Sequence, residues 1–219
     1  MVKTWVVLAL IVVMGFAIPA FAGDIVDMPT GNMVAPNHAE INYIYWDLDT
    51  PPGPAPDCLN IFEGFVGVTD WAELDVIVAD VENDDTYTKV NGYARLINEG
   101  PKQPSLIVGA TNILGSEWPG NSNFSPFVLS AYNLLTPAGP PKWNDPLVRA
   151  HLAYGWEAHG EKFFGGIQFL VTPQLGGAVF NYQDQPSYVA VYRPVKQWEL
   201  RAGYKEGTPF YSLGAFLDW

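Results

Sequence analysis

Apolar and polar residues alternate with a period of two along most of this chain. In 197–205, for example, the two faces are Trp198, Leu200, Ala202 and Tyr204 against Gln197, Glu199, Arg201 and Lys205. Successive side chains of a β-strand point to opposite faces, so this alternation is typical of strands between two different environments. Helical periodicity is almost absent, and we expect an all-β fold with no second domain. The pattern predicts about twelve strands, with approximate spans 39–49, 58–69, 72–82, 86–98, 104–114, 124–135, 146–159, 161–172, 174–183, 186–194, 197–206 and 208–219.

The segments between these strands differ in length. Some are short turns, such as 83–85 and 206–207, and others are longer and rich in Pro and Gly: 50–57, 115–123 and 136–145. Alternation of short and long connections is expected for an antiparallel barrel with tight turns at one end and longer loops at the other. The alternation is clearest before residue 145.

Two kinds of barrel fit this pattern. A soluble barrel puts its apolar face inside, whereas a membrane barrel turns that face to lipid and keeps charges in its lumen. Trp198 and Tyr204 lie near opposite ends of one predicted strand, and Tyr154 and Trp156 lie near one end of another. Rings at strand ends form the aromatic girdles of membrane barrels. We therefore predict a single antiparallel transmembrane β-barrel of about twelve strands, with a soluble periplasmic β-barrel that binds an apolar ligand as an alternative.

The chain ends in an aromatic residue that completes an amphipathic strand. Ser212, Gly214, Leu217 and Trp219 follow the order polar-x-Gly-x-x-apolar-x-aromatic. This order resembles the C-terminal signal by which the insertion machinery recognises bacterial outer-membrane β-barrel proteins. The resemblance implies a location in the outer membrane of a Gram-negative bacterium, with that machinery and membrane lipid as partners.

The first residues have the order of a secretory signal peptide. Lys3 precedes an apolar run over 5–16, and Ala20-Phe21-Ala22 supplies a small-x-small cleavage site before Gly23. The apolar run is short for a membrane-spanning helix. We predict a cleaved signal peptide at 1–22, an extended N-terminal arm at 23–38 that could plug part of the lumen, and an outer-membrane β-barrel at 39–219.

Charge and cysteine content exclude several functions. Removing 1–22 takes away Lys3 and no acid, so the mature chain would carry a net charge of 10 − 23 = −13. An acidic chain without a basic run is not expected to bind nucleic acid. The single Cys58 cannot form an intramolecular disulfide, and no Cys cluster suggests a metal site. The acidic segment 82–85 is interpreted as a solvated turn. We expect no metal and no cofactor.

Charged side chains recur on the polar faces of the predicted strands. Charges are costly in lipid, so we expect them to point into the lumen and to pair with one another. The predicted lumen-lining residues are Glu73, Asp75, Lys89, Arg95, Arg149, His151, Glu157, Glu199, Arg201 and Lys205. His151 belongs to this polar face and no Gly-x-Ser-x-Gly elbow occurs, so we predict that the protein is not an enzyme.

Loose sequence motifs in the middle and at the end of the chain carry a family resemblance. Tyr93 to Gly109 contains Arg95, Glu99-Gly100, Pro104-Ser105 and Gly109 in a strand–turn–strand order. Further motifs are Met28-Pro29-Thr30-Gly31, Phe164-Gly165-Gly166-Ile167 to Asp184, and Tyr192-Arg193-Pro194. Together they resemble the YjbH-like group of Gram-negative outer-membrane proteins, which is associated with exopolysaccharide production. Members of that group are much longer, so the resemblance implies that this chain corresponds to a barrel portion.

The sequence leaves two functions open for such a barrel. The polar faces could line a narrow pore that conducts small solutes or glycans and sets its selectivity. Alternatively, a network of charges could fill the lumen, so that the barrel is a closed scaffold for exopolysaccharide export. The lumen of a twelve-stranded barrel is wider than that of a filled eight-stranded barrel and narrower than that of an open sixteen-stranded one. The strand number therefore does not decide between pore and scaffold. We take the pore as the first hypothesis and the scaffold as the second.

Overall fold

The computed structural model describes residues 33–47, 58–81, 86–115, 124–135, 148–156, 159, 161–182, 184–205 and 207–219. They form twelve strands: β1 (His38–Asp47), β2 (Cys58–Thr69), β3 (Ala72–Val81), β4 (Thr86–Ile97), β5 (Ser105–Gly115), β6 (Ser125–Leu135), β7 (Val148–Gly155), β8 (Lys162–Thr172), β9 (Leu175–Tyr182), β10 (Gln185–Val195), β11 (Trp198–Lys205) and β12 (Thr208–Asp218). The strand number and most boundaries agree with the period-two pattern of the sequence. None of the helical structure in this described part is long and apolar enough to cross a membrane.

Each strand pairs antiparallel with its neighbours in chain order, and β1 pairs with β12 to close the sheet into a barrel. The closing register runs from His38 opposite Asp218 to Trp46 opposite Phe210. Closure satisfies the backbone hydrogen-bonding groups that an open sheet leaves free at its edges. The predicted all-β, closed antiparallel fold is therefore confirmed.

The barrel has two ends, which we name by the chain termini. At the terminal end, β1 begins, β12 ends, and the connections are 70–71, 98–104, 136–147, 173–174 and 196–197. At the distal end, the connections are 48–57, 82–85, 116–124, 156–161, 183–184 and 206–207. Long connections occur at both ends, so the expected alternation is wrong. It fails most clearly at 136–147, because this long segment joins β6 to β7 at the end that also has three two-residue turns.

The two faces of the wall differ sharply in polarity. Large apolar side chains point outward and are exposed, as shown by Phe163 (70%), Leu152 (57%) and Leu200 (46%). Charged side chains of the same strands point inward and are buried, as shown by Glu199 (1%) and Arg201 (6%). This arrangement is the reverse of a soluble barrel, in which the apolar face is the inner one.

Candidate functional site in the barrel interior

The sequence-predicted lumen residues lie on the inward face wherever the structure describes them. Seven of them are buried: Glu73, Asp75, Arg149, His151, Glu199, Arg201 and Lys205. Lys89 and Arg95 are half-buried, near the distal and terminal ends of β4 respectively. Glu157 lies outside the described residues. That these side chains line a conducting path stays a prediction.

The residues of the predicted insertion signal lie at the closing strand. Ser212 and Leu217 are buried, and Trp219 is 59% exposed. The backbone N–H of Trp219 donates to the carbonyl oxygen of Asn37 at 3.0 Å. His38 pairs with Asp218 next to this contact. The C-terminus is thus tied to the start of β1, and recognition by insertion machinery stays a prediction.

A connected group of ion pairs fills part of the terminal half of the interior; we call Glu40, Arg193, Glu199 and Arg201 the ion-pair layer. Arg201 donates to Glu199 through Nε and to Oε1 of Glu40 through a terminal nitrogen at 2.6 Å. Arg193 donates to the other carboxylate oxygen of Glu199. All four side chains are at most 6% exposed. Charges at this depth are tolerable only when paired and hydrogen-bonded. Each of the four has an ion-pair partner, and among the described residues Oε2 of Glu40 is the one carboxylate oxygen of the layer without a hydrogen bond.

Amide side chains extend the ion-pair layer around the wall. Asn42 Nδ2 donates to Glu40 at 3.0 Å and to Glu63 at 3.4 Å. On the neighbouring strands, Asn91 donates to Asp75 at 2.6 Å. Each amide gives a carboxylate a hydrogen bond without adding charge, which lowers the cost of burying it.

A separate polar group lies on the opposite wall, at the terminal ends of β6 and β7. Arg149 donates to Glu99 at 2.6 Å and also to Asn133. Glu99 accepts a second bond from the backbone N–H of Asn133 at 2.6 Å. The 98–104 connection therefore reaches into the barrel mouth and supplies the counter-charge for Arg149.

Most buried side chains in the distal half of the interior are apolar or aromatic. Together with apolar neighbours that reach further toward the terminal end on β4–β6, they form a cluster that we call the apolar septum. Its buried members are Ile44, Trp46, Ile61, Ile77, Ala79, Tyr93, Ile107, Phe127, Leu129, Ala131, Ala153, Phe164, Ala178, Phe180, Val189, Val191 and Phe210, with Met33, Leu59 and Tyr182 packed against them. Every strand except β11 contributes a buried member, and β11 contributes Gly203, whose absent Cβ leaves room for the ring of Phe210. The septum thus runs around the inner wall of the barrel, and its buried members are each at most 9% exposed, which indicates that the interior is packed at this level.

The largest side chains of the septum are in contact through their aromatic rings. The Phe127 ring lies 5.7 Å from that of Tyr93 and 6.5 Å from that of Phe164, both centroid to centroid. His159 stacks on Phe164 at 5.3 Å from the distal side, and its Nδ1 lies 2.9 Å from the hydroxyl of Tyr182. His159 is 2% exposed, so its ring is packed into the interior together with these aromatic side chains.

The last residues of the predicted arm lie inside the terminal end. Val34 is buried against the inward ring of Phe65, and its backbone N–H donates to the carboxylate of Glu73. The backbone of the arm passes so close to β2 that position 67 must be glycine, because a Cβ on Gly67 would lie 2.1 Å from the carbonyl oxygen of Ala35. The first part of the arm, 23–32, lies outside the described residues, and its action as a plug stays a prediction.

The sequence reasoning missed the septum. Its signal was present, because the distal halves of several strands are apolar on both faces, as in Val76-Ile77-Val78-Ala79 of β3. The charges of the terminal halves, such as Glu73 and Asp75, led to the expectation of a polar lumen throughout. Paired charges and packed apolar side chains together suit the interior to hold the barrel in a fixed shape. Among the described residues, no group of three or more His, Cys, Asp or Glu side chains could hold a metal ion.

Comparison with known proteins supports the fold. No family model matches the chain, and no curated protein matches it. The solved structures that are similar include a KdgM porin and a KdgM porin in complex with disordered oligogalacturonate. Each has a TM-score of 0.57 and 13% sequence identity, and the alignment covers 83% of this chain and 99% of that chain. At this identity the likeness places the chain in the class of closed β-barrels with a porin fold.

Proposed function

We propose that this protein is a bacterial outer-membrane β-barrel with a closed interior, and that it serves as a structural scaffold in the envelope. The observation that carries the proposal is the apolar septum. An apolar constriction excludes water and so blocks ions and polar solutes. The ion-pair layer fills part of the remaining half with paired charges, and little free polar surface is left to guide a solute.

The outer wall supports the membrane location. Exposed aromatic residues lie near both ends of the strands: Trp71, Trp198 and Trp219 at the terminal end, and Trp156, Tyr188 and Tyr204 at the distal end. Between them the exposed side chains are largely apolar, as at Leu152, Leu200 and Leu213. Two aromatic girdles around an apolar band are the features of an outer-membrane barrel. Membrane lipid is then the immediate partner of the wall.

A role in exopolysaccharide export follows from the resemblance to the YjbH-like group and is part of the scaffold proposal. A closed barrel does not conduct the glycan itself. It can hold export components at the membrane. The proposal involves no catalytic step and no cofactor.

A narrow pore for small solutes or glycans is the second candidate, and the fold likeness to porins favours it. One of the similar structures is a porin in complex with an oligogalacturonate. Conduction in this chain would require the septum and the end of the arm to move aside. If that happens, Arg149 and Arg201 would face the path, and their neutralisation should shift ion preference toward cations.

Fractionation of cells tests the location. The mature protein should be extracted from envelopes by detergent and not by urea or carbonate, because its outer wall is apolar. It should also migrate differently on gels before and after boiling, as closed barrels do when the sheet is opened. Recovery in the soluble periplasmic fraction would contradict the membrane location and favour the alternative of a soluble periplasmic barrel.

Single-channel recording tests the closed interior. Purified, heat-modifiable protein should be electrically silent in planar bilayers. A variant lacking 23–37 should be silent too, because it loses Met33 but keeps every buried member of the septum. A known open porin in the same bilayers is the positive control. Steady conductance of the wild type would overturn the scaffold and favour the pore. Conductance of the shortened variant alone would identify the arm as the plug.

A further inference from the structure

The outer wall carries a shallow apolar groove of about 560 Å³ that the proposed scaffold does not use. Its floor is Ala190 and Ala202, and its sides include Tyr192, Leu200, Tyr211 and Leu213. We call it the outer groove. Arg201 and Ser212 also border it, but both are buried residues of the inward face. The surface offered to a ligand is therefore apolar.

Cross-strand pairing explains why the wall is depressed here. Ala190 of β10 lies directly opposite Ala202 of β11, and Tyr211 of β12 lies on the other side of Ala202. In the next row toward the terminal end, Leu200 lies between Tyr192 and Leu213. Directly opposite side chains in a sheet are neighbours, so two adjacent alanines among larger residues leave a gap that the sheet cannot fill.

The groove runs obliquely from one end of the barrel toward the other. It begins at Leu175, the first residue of β9 at the terminal end, and reaches Tyr45 on the distal half of β1. Crossing from β9 to β1 takes four strand spacings, or about 19 Å. One leaflet of a bilayer has a hydrocarbon thickness of about 15 Å, half that of the core. An obliquely lying chain from the leaflet at the terminal end would therefore match the length of the groove.

We propose that the outer groove binds one acyl chain of a phospholipid from the leaflet at the terminal end, more tightly than the rest of the wall does. The inference rests on the proposed membrane location. The groove is too small for a protein partner, because twelve residues line it and each side of a stable protein interface uses about 20–30. Its volume lies within the range of about 300–1,000 Å³ that is usual for small-molecule sites. Tyrosine rings at the sides restrict the chain, and the alanine floor lets it approach the sheet.

Photocrosslinking of the full-length barrel tests this site. The protein is reconstituted in vesicles of phosphatidylethanolamine and phosphatidylglycerol that contain a phospholipid with a diazirine in one acyl chain. After irradiation, the crosslinked peptides are mapped by mass spectrometry. We expect crosslinks to concentrate on β10–β12, and Ala202→Trp, which fills the groove, to reduce them several-fold. Ala94→Trp is the matched control, because Ala94 also faces outward opposite an alanine, Ala72.

The outcomes separate the site from the membrane location. Protein that does not float with the vesicles would refute the proposed location. Protein that inserts but crosslinks evenly around the barrel, or that is unaffected by Ala202→Trp, would overturn the acyl-chain site alone. Crosslinks between two copies of the chain at β10–β12 would also overturn it. Heat-modifiable mobility confirms folding of each variant, and Ala190→Leu provides a milder filling if Ala202→Trp does not fold.

Discussion

The terminal and distal halves of the barrel interior are filled by different chemistry on the same strands. On the inward face of β1, Glu40 and Asn42 are followed by Ile44 and Trp46. On β3, which runs in the same direction, Glu73 and Asp75 are followed by Ile77 and Ala79. β1 and β3 therefore change from polar to apolar at a similar depth. β11 does not, because Lys205 is buried at its distal end, with Nζ 4.5 Å from the centroid of the Trp46 ring.

The two layers stabilise the barrel in different ways. A buried charge needs a particular partner, because an unpaired charge in a low-dielectric interior costs several kcal/mol. An apolar side chain needs only neighbours of suitable volume, and its loss is graded by the space left behind. Pairs such as Glu40 with Arg201 also join β1 to β11 across the closing strand, so they favour one register of closure. Substitutions in the ion-pair layer should therefore cause a large loss of stability whenever they remove a charged partner. Substitutions in the septum should cause a loss that grows with the volume removed.

Removal of Arg201 should have the largest effect. In Arg201→Met, Glu199 keeps its ion pair with Arg193, whereas Glu40 loses its ion pair with Arg201 and keeps the hydrogen bond from the amide of Asn42. Breaking a buried pair costs roughly 3–5 kcal/mol because it leaves a charge without a counter-charge. The measurement is urea unfolding of the barrel reconstituted in vesicles. Arg201→Met combined with Glu40→Gln should recover part of the loss, since the unpaired charge is gone; no recovery would show that Arg201 stabilises by packing alone.

A charge placed on the outward face should cost somewhat less stability than the loss of Arg201. Leu152→Arg places a charge on the outward face at a position that is 57% exposed, and such substitutions cost about 2–4 kcal/mol near the bilayer midplane. Gln168→Glu, on the inward face of the neighbouring strand, should be better tolerated because it places a charge directly opposite Arg149. The yield of heat-modifiable barrel and its urea midpoint measure both. A greater loss for Gln168→Glu would contradict the lipid-facing outer wall.

Much of this architecture could be predicted from the sequence, and the limits have physical causes. Alternation along 197–205 fixed which side chains of β11 point inward, because the period of a strand is two. It could not identify the partner of Arg201, since Glu40 lies 161 residues away and barrel closure brings the two together. The septum was missed because inward residues such as Ile77 are apolar like their outward neighbours. When both faces of a strand are apolar, periodicity does not show which face points into the barrel.

A conservative truncation in the septum should have a small, graded effect. Ile77→Val removes one methylene from a side chain that is 1% exposed, and we expect a loss of about 0.5–1.5 kcal/mol. Ile167→Val is the matched control, because Ile167 is 47% exposed on the outer wall and lipid can occupy the space. Its effect should stay within about 0.5 kcal/mol. Equal losses at both positions would show that the septum is not tightly packed.

The smallest effect is expected at an exposed ion pair outside both layers. Lys162 pairs with Asp184 at the distal end, and their side chains are 47% and 74% exposed. Water and salt screen such a pair, so Lys162→Met should change the unfolding free energy by about 0–1 kcal/mol. The change should disappear in 1 M salt, where the screening length is about 3 Å. The loss in Arg201→Met should persist in the same salt, because the buried Glu40 carboxylate is shielded from mobile ions. Comparing the two variants at low and high salt therefore measures how far the ion-pair layer is removed from water; equal salt sensitivity would mean that water enters the terminal half and would strengthen the pore.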